Sequence, residues 1–218
     1  PDEKITILGN LVHNAYVKKA LEQENIQTIE DSSKTRLELL DAIHEGIVIF
    51  TAHGIHPQVK EKAIQKGLHV IDASCPFVLQ TQKIVQQKLQ EGFDVLYIGK
   101  YRHPEAESIY TLSAAVHLVQ NTKIPNITNP HIFVTNQTTM SIEDIDLIFQ
   151  AIKAKYPQAV FHDEICNATR IRQQAILDLK DQAVDALIVV GDPSSNNTQK
   201  LLEIGKSADF KKHLNQYD

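Results

Sequence analysis

The sequence has no tryptophan, one methionine and only two cysteines among its 218 residues. Cys75 and Cys166 stand far apart in the chain. Two such cysteines do not make the disulfide framework of a small secreted protein, so a reducing cytoplasm is the expected compartment. No apolar run approaches the roughly 20 residues that span a bilayer. The sequence therefore predicts a cytoplasmic protein without a membrane partner.

The charge balance excludes a second class of protein. Lys and Arg number 22 against 27 Asp and Glu, which gives a net charge of −5. The chain thus lacks the basic surplus with which proteins bind the phosphates of nucleic acids, and no nucleic-acid partner is expected. Apolar residues make up 42% and charged residues 22% of the chain, as in ordinary globular proteins rather than disordered ones.

Short runs rich in Val, Ile and Leu alternate along the chain with segments of helical periodicity. Most of these runs are nearly continuous in apolar residues, which is typical of strands buried on both faces of a parallel sheet. The predicted strands are 4–8, 47–51, 69–73, 94–98, 115–119, 131–135, 159–162 and 186–190. The predicted helices include 16–24, 35–44, 58–66, 77–90, 142–155, 169–180 and 198–206. Regular alternation of this kind predicts an α/β fold with parallel sheets.

Two junctions, near Cys75 and Cys166, divide the chain into three α/β units. The predicted units are residues 1–74, 75–165 and 166–218. The third unit has too few elements for a sheet that is stable alone. We therefore expect it to be incomplete, or to pack on another unit.

Polar side chains gather where the predicted strands end. Ligand sites of parallel α/β sheets lie beyond the carboxyl ends of the strands, in the loops that lead into helices. Imidazoles, hydroxyls and amides at helix starts suit an anionic ligand such as a phosphate. The residues of these types are His13, His53, His103, Thr138, Ser194, Ser195 and Asn196. The alternative is that the histidines are solvated and that the others only cap helices.

Three further side chains in these loops carry reactive groups. Cys75 and Cys166 each precede a predicted helix, whose positive end stabilises a thiolate. Glu105 follows a His-Pro pair, where a buried carboxyl group delivers protons near neutral pH. The simpler alternatives are two buried core cysteines and a glutamate that merely favours the helix dipole. Two sulfurs alone do not complete a metal site.

Together and in this order, these loops closely resemble the LytB family, the 4-hydroxy-3-methylbut-2-enyl diphosphate reductases of isoprenoid biosynthesis. The resemblance runs from about residue 7 to residue 203. The matching segments are Leu-Val-His13-Asn, Ala-His53-Gly, Asp-Ala-Ser-Cys75-Pro, His103-Pro-Glu105, Gln137-Thr138-Thr-Met-Ser, Ile-Cys166-Asn-Ala-Thr and Ser194-Ser195-Asn196.

The resemblance implies an iron–sulfur reductase. Such an enzyme takes two electrons and two protons to remove the hydroxyl group of the allylic diphosphate, which gives isopentenyl and dimethylallyl diphosphates. In the family three cysteines hold a [4Fe-4S] cluster, and Cys75 and Cys166 match two of them. The family's electron donor is a ferredoxin or a flavodoxin, and its fold places three α/β units around the cluster.

The resemblance also implies roles for single residues. Glu105 matches the acid of the proton relay, and with it His103 and Thr138 are the predicted catalytic residues. The predicted substrate-binding residues, which match the lining of the diphosphate pocket, are His13, His53, His103, Thr138, Ser194, Ser195 and Asn196.

The sequence departs from the family in three ways. The family's first cysteine motif and its closing segment are not found here, so the resemblance implies a fragment that is inactive alone and holds an incomplete ligand set. Around His103 the usual Gly-His-x-Gly-His is replaced, with Lys100 and Arg102 as added charges that either approach the ligand or are solvated. Two other functions stay open: a non-redox α/β module that binds phosphate or diphosphate, and a hydrolase with Cys75 as nucleophile.

Overall fold

The computed structural model describes residues 3–11, 14–31, 33–179, 182 and 184–207, which form two four-stranded parallel sheets flanked by helices. Sheet A has the order β2-β1-β3-β4 and sheet B the order β6-β5-β7-β8. The strands of sheet A are β1 (Ile5–Leu8), β2 (Ile26–Ile29), β3 (Ile47–Phe50) and β4 (His69–Asp72). Those of sheet B are β5 (Asp94–Ile98), β6 (Val116–Val119), β7 (Ile132–Asn136) and β8 (Val160–Phe161). The predicted α/β fold with parallel sheets is confirmed.

Helices connect the strands of each sheet, join the two sheets and continue beyond the second. They are α1 (Ala15–Gln23), α2 (Arg36–Asp41), α3 (Pro57–Gln65), α4 (Pro76–Gln90), α5 (Pro104–Tyr110), α6 (Ile142–Lys155), α7 (Asn167–Leu177) and α8 (Asn196–Ser207). Within the described part of the chain, no helix has the length and apolarity needed to cross a bilayer.

Local sequence explains where several helices begin. Thr35 and Glu38 form a reciprocal capping box at the start of α2. Proline occupies the first position of α3, α4 and α5, where its missing N–H costs no helical hydrogen bond. These starts fix the positions of the loops that precede the helices.

Each sheet has its own apolar core. Phe50 of β3 is fully buried with Leu8 and Leu40 in the core of sheet A. In sheet B, helix α6 covers one face through Ile145 and its neighbours, and Tyr97 lies in the core of the other face. With one core on sheet A and one on each face of sheet B, the loops at the strand ends are positioned by two separate scaffolds.

The predicted strand at 186–190 is wrong. These residues form no strand in the structure. Leu187 packs against α7 and α8, whereas the side chains of Ile188 and Val190 are 83% and 90% exposed. Covered and exposed side chains alternate along the segment, whereas the apolar run predicts burial on both faces. A strand also needs ladder hydrogen bonds from a neighbour, and no described strand pairs with this segment.

Two other strands differ from expectation. β4 is the edge of sheet A and is largely exposed, including Ile71, so the prediction of burial on both faces is wrong there. The sequence pattern does not predict β2, because Ile26–Ile29 is short and interrupted by polar residues. The division of the chain into units at residues 75 and 166 stays a prediction.

Candidate functional site

The two sheets repeat one arrangement around their cysteines. Cys75 follows the edge strand β4, and its N–H donates to the carbonyl of Ala52 in the loop after β3, with an N···O distance of 3.0 Å. Cys166 follows the edge strand β8, and its N–H donates at 3.0 Å to the carbonyl of Thr138, after β7. Each cysteine is the N-cap residue of a helix, α4 or α7, without a side-chain capping hydrogen bond. The thiols therefore occupy equivalent positions in the two halves.

The first turns of α4 lie beside the loop that carries Cys166. Thr81 Oγ1 of α4 donates to Glu164 Oε2 at 3.3 Å. Phe77 of α4 and Cys166 also line the same cavity of about 250 Å³. The first turns of the helix that follows Cys75 thus contact the segment that precedes Cys166.

Thiolates are the usual protein ligands of iron–sulfur clusters, so the two thiols are candidate ligands. Both are free and half-buried, and the Cys166 sulfur lies 3.0 Å from Thr169 Oγ1. A cluster needs three or four sulfur ligands. Within the described ranges, no group of three His, Cys, Asp or Glu side chains is arranged to hold a metal ion. These residues therefore supply two donors and do not complete a ligand set.

Glu105 and Thr138 meet in the interior of sheet B. The backbone N–H of Thr138 donates to Glu105 Oε1 at 2.7 Å, and its hydroxyl donates to Oε2 at 3.0 Å. Both residues are buried. Because Thr138 also accepts the Cys166 N–H, one residue positions the acid and the second cysteine.

The environment of Glu105 favours its protonated form. Burial raises the pKa of Glu105 to about 7, although the two hydrogen bonds from Thr138 act in the opposite direction. The nearby Glu164 carboxylate adds to the increase. A carboxyl group with a pKa close to neutral both donates and accepts protons efficiently, as a general acid requires.

Sequence reasoning missed two groups near this acid. Tyr97 of β5 is fully buried, and burial together with Glu105 and Glu164 raises the pKa of its phenol well above the usual value. Burial also raises the pKa of Glu164, while His162 opposes that increase. The His162 Nε2 lies 2.8 Å from Glu164 Oε1, a distance that suits an ion pair. Neither acid stands in a recognisable motif, so only the packing identifies them.

His53 and His103 come from different sheets and lie ring to ring. Their centroids are 5.6 Å apart at an interplanar angle of 81°. His103 Nδ1 accepts the backbone N–H of Glu105 at 3.2 Å, so the proton of the neutral ring sits on Nε2. The Nε2–H of His103 is therefore a hydrogen-bond donor in the neutral ring.

The two histidines do not occupy equivalent positions in their loops. His103 is the N-cap residue of α5, and its counterpart in sheet A is His56, the N-cap residue of α3. His53 lies earlier in its loop, with Nδ1 3.5 Å from Thr51 Oγ1. Both caps precede proline, a signal that the sequence already contains. His13 lies outside the described residues.

Amide side chains from three elements hold the loop after β7. Gln137 Oε1 accepts the N–H of Lys100 at 3.0 Å. Gln173 of α7 accepts from the Ile142 N–H and donates to the Met140 carbonyl, both at 2.9 Å. Asn196 of α8 donates to the Thr139 carbonyl at 2.8 Å. These bonds fix the backbone on either side of Thr138.

The remaining predicted residues lie toward the start of α8. Asn196 is buried, whereas Ser194 is exposed and donates to the Asp192 carboxylate. Ser195 Oγ accepts the N–H of Thr198 at 3.4 Å, which is a capping contact. Asn196 and Lys100 line a cavity of about 490 Å³ between sheet B and α8. Asn196 thus contacts the loop that carries Thr138 and also lines this cavity.

Comparison with known proteins gives one family. The model of the family described as LytB protein matches residues 1–216. A 4-hydroxy-3-methylbut-2-enyl diphosphate reductase from Geobacillus kaustophilus is 45% identical over 206 residues, which is 93% of this chain and 64% of that protein. The enzyme of the same name from Bacillus cytotoxicus is 47% identical over the same shares. The chain therefore spans 64% of the length of these relatives.

Solved structures are similar as well. The E-1-hydroxy-2-methyl-but-2-enyl-4-diphosphate reductase of Plasmodium falciparum superposes with a TM-score of 0.85 at 35% identity, over 96% of this chain and 65% of its own. An (E)-4-hydroxy-3-methyl-but-2-enyl diphosphate reductase, described as the terminal enzyme of the non-mevalonate pathway, gives a TM-score of 0.66 at 27% identity over 95% and 73%.

Proposed function

The chain belongs to the LytB protein family, and from that premise we propose that it acts in the two-electron reduction of 4-hydroxy-3-methylbut-2-enyl diphosphate. The reaction breaks the bond from carbon to the allylic hydroxyl group. Two electrons and two protons are consumed: one proton leaves with the hydroxyl as water, and the other ends on the allyl carbon skeleton. The products are isopentenyl and dimethylallyl diphosphates.

The observation that carries this proposal is the joint placement of an acid and a thiol by Thr138. Its side chain and N–H hold the Glu105 carboxyl group, and its carbonyl holds the Cys166 N–H. A reductive dehydroxylation needs a proton at the leaving oxygen. Glu105, with a pKa of about 7, is suited to supply it, and Thr138 orients the carboxyl group.

The proposed diphosphate site uses the histidine pair. The Nε2–H of His103 and the ring of His53 meet between the two sheets, where they provide donors to phosphate oxygens. Asn196, Ser194 and Ser195 are proposed to add amide and hydroxyl donors from α8, and His13 is included on its family match. Helix starts favour negative charge through their unpaired N–H groups, which supports an anion at this edge.

Cys75 and Cys166 would supply two of the thiolate ligands of a [4Fe-4S] cluster, which supplies the electrons when it is bound. We propose a ferredoxin or a flavodoxin as the electron donor and the cytoplasm as the compartment. The free state of both thiols and their places at helix starts support this assignment. A non-redox phosphate-binding module is not favoured, because the relatives at 45% identity and above carry the name of the reductase.

The proposal is tested by anaerobic reconstitution of the chain with ferrous iron, sulfide and a small thiol, which supplies the sulfur ligand that the two cysteines do not. We expect bound iron in the wild type and its loss in Cys75→Ser and in Cys166→Ser, measured by metal analysis and visible absorbance. Adding the allylic diphosphate should change the absorbance of the loaded chain. Glu105→Gln should bind iron like the wild type but fail to turn over the substrate in any preparation that is active. A loaded chain whose absorbance does not respond to the diphosphate would contradict the proposal.

A further inference from the structure

One buried amide joins the two sheets where the histidines meet. Gln82 lies in α4 and is buried. Its Nε2 donates to the Ile55 carbonyl at 3.2 Å, in the loop after β3, and to Ser108 Oγ of α5 at 2.9 Å. Both protons of the amide nitrogen are therefore used, one toward each sheet. We call these two bonds the Gln82 bridge.

Each end of the Gln82 bridge leads to one of the two histidines. Ile55 follows His53 in the same loop. On the other side, the Ser108 hydroxyl donates a hydrogen bond to the Glu105 carbonyl at 2.8 Å, in the first turn of α5. His103 caps that turn. The bridge therefore connects the backbone around His53 to the helix start that presents His103 and Glu105.

The loop after β3 also approaches α4 closely at a glycine. Gly54 has a φ of +79°, and a Cβ atom built on it lies 2.7 Å from Val78 Cγ1 and 3.1 Å from Gln82 Nε2. The loop backbone thus approaches α4 as closely as glycine allows. Beside it, a cavity of about 140 Å³ is lined by Ile55, Pro104 and Ser108, so apolar packing does not fill this contact. Directional hydrogen bonds are then left to set the distance between the loop and α5.

We propose that Gln82 is a positioning residue that sets the separation of His53 and His103 and thereby tunes the affinity of the site for a diphosphate group. Gln82 does not contact the ligand itself. This proposal rests on the proposed function for the ligand, but its geometric part concerns only the two imidazoles. Gln82 is part of no sequence motif described above. It lies on the buried face of α4.

The test uses the 218-residue chain with Gln82→Met, which keeps the length of the side chain but removes the amide. Gln90→Met is the matched control, because Gln90 is exposed at the end of the same helix. Contact between the rings is read from the NMR cross-peak between His53 and His103 ring protons. Affinity is read from calorimetry with inorganic pyrophosphate. We expect Gln82→Met to lose the cross-peak and to weaken pyrophosphate binding about tenfold, in line with the loss of a buried hydrogen bond.

The outcomes separate the bridge from the proposed function. If the wild type fails to bind pyrophosphate, the diphosphate site is wrong, and the cross-peak alone still decides the role of Gln82. If Gln82→Met is less stable yet keeps both the cross-peak and the affinity, Gln82 is only structural and the proposal is overturned. Should Gln82→Met not fold, Ser108→Ala removes one arm while sparing the bond to Ile55. An unchanged cross-peak in Ser108→Ala would then overturn the proposal.

Discussion

Thr138 grips both carboxylate oxygens of Glu105, one with its backbone N–H at 2.7 Å and the other with its hydroxyl at 3.0 Å. The grip keeps a buried carboxyl group in one orientation. It also restrains the pKa of Glu105, since both bonds favour the charged form against the effect of burial.

Removing the hydroxyl arm should raise the pKa of Glu105 further. Thr138→Val keeps the size of the side chain and the backbone N–H but loses the bond to Oε2. We expect the pKa of Glu105 to move above 7, as measured by NMR titration of its labelled carboxyl carbon. Thr138→Ser retains a hydroxyl group and should leave the value near that of the wild type. An identical titration in wild type and Thr138→Val would show that the hydroxyl is irrelevant.

Glu105 should make the chain less stable as the pH rises. Its pKa is raised from 4.5 in the unfolded chain to about 7 in the fold, so the folded state holds the proton more tightly between these values. Its contribution is complete below pH 4.5 and is lost as the pH rises through 7. Relative to the wild type, Glu105→Gln should therefore gain about 3 kcal/mol in the free energy of unfolding between pH 4.5 and 8.

This comparison is measured by urea unfolding followed by circular dichroism, because the chain has no tryptophan to report by fluorescence. Glu107→Gln is the control, since Glu107 lies on the same helix. A difference between wild type and Glu105→Gln that does not change with pH would rule out the raised pKa.

Gln173 should be worth more to stability than its neighbour. It is fully buried and satisfies the Met140 carbonyl and the Ile142 N–H. Gln173→Met would leave both groups without partners, at a cost of about 2–4 kcal/mol in the free energy of unfolding. Gln174→Met changes an exposed side chain bonded only to Asp178 and should cost less than about 0.5 kcal/mol. Equal costs in the two variants would contradict the account of the loop after β7.

Substitutions at adjacent positions of the segment 186–190 should have unequal effects on stability. Leu187 packs in the cluster formed by α7 and α8, so Leu187→Ala should destabilise the chain by about 1–2 kcal/mol. Ile188 is 83% exposed, and Ile188→Ala should change stability by less than about 0.5 kcal/mol. Thermal unfolding of the two variants is sufficient to compare them. A larger loss from Ile188→Ala would indicate that its side chain is covered in solution.

The sequence was informative where the physical signal is local. Buried parallel strands such as Ile132–Asn136 show as continuous apolar runs, and proline or capping residues mark helix starts. The placement of Cys75 and Cys166 before helices follows from the same signals and is confirmed. Local patterns do not report whether a segment finds a partner strand, which is why the apolar pattern wrongly predicts a strand at 186–190.

The contacts that complete the site are non-local and have no sequence signature. Gln82, Tyr97 and Gln173 are ordinary core positions in their own elements. Each matters through atoms from a distant part of the chain, such as Ile55 for Gln82 or Met140 for Gln173. The roles of the motif residues are predicted from the family resemblance. The residues that hold them in place are identified only by the packing of the structure.

The carbonyl of Thr138 has a consequence of its own. It accepts the Cys166 N–H while the N–H and hydroxyl of the same residue hold Glu105, so the contacts to the cysteine and to the acid are separated only by the Cα atom of Thr138. A displacement of Cys166 by oxidation or alkylation would therefore act on the same residue that orients the proton donor. Chemical modification of the Cys166 thiol should therefore disturb the orientation of the Glu105 carboxyl group without contacting it.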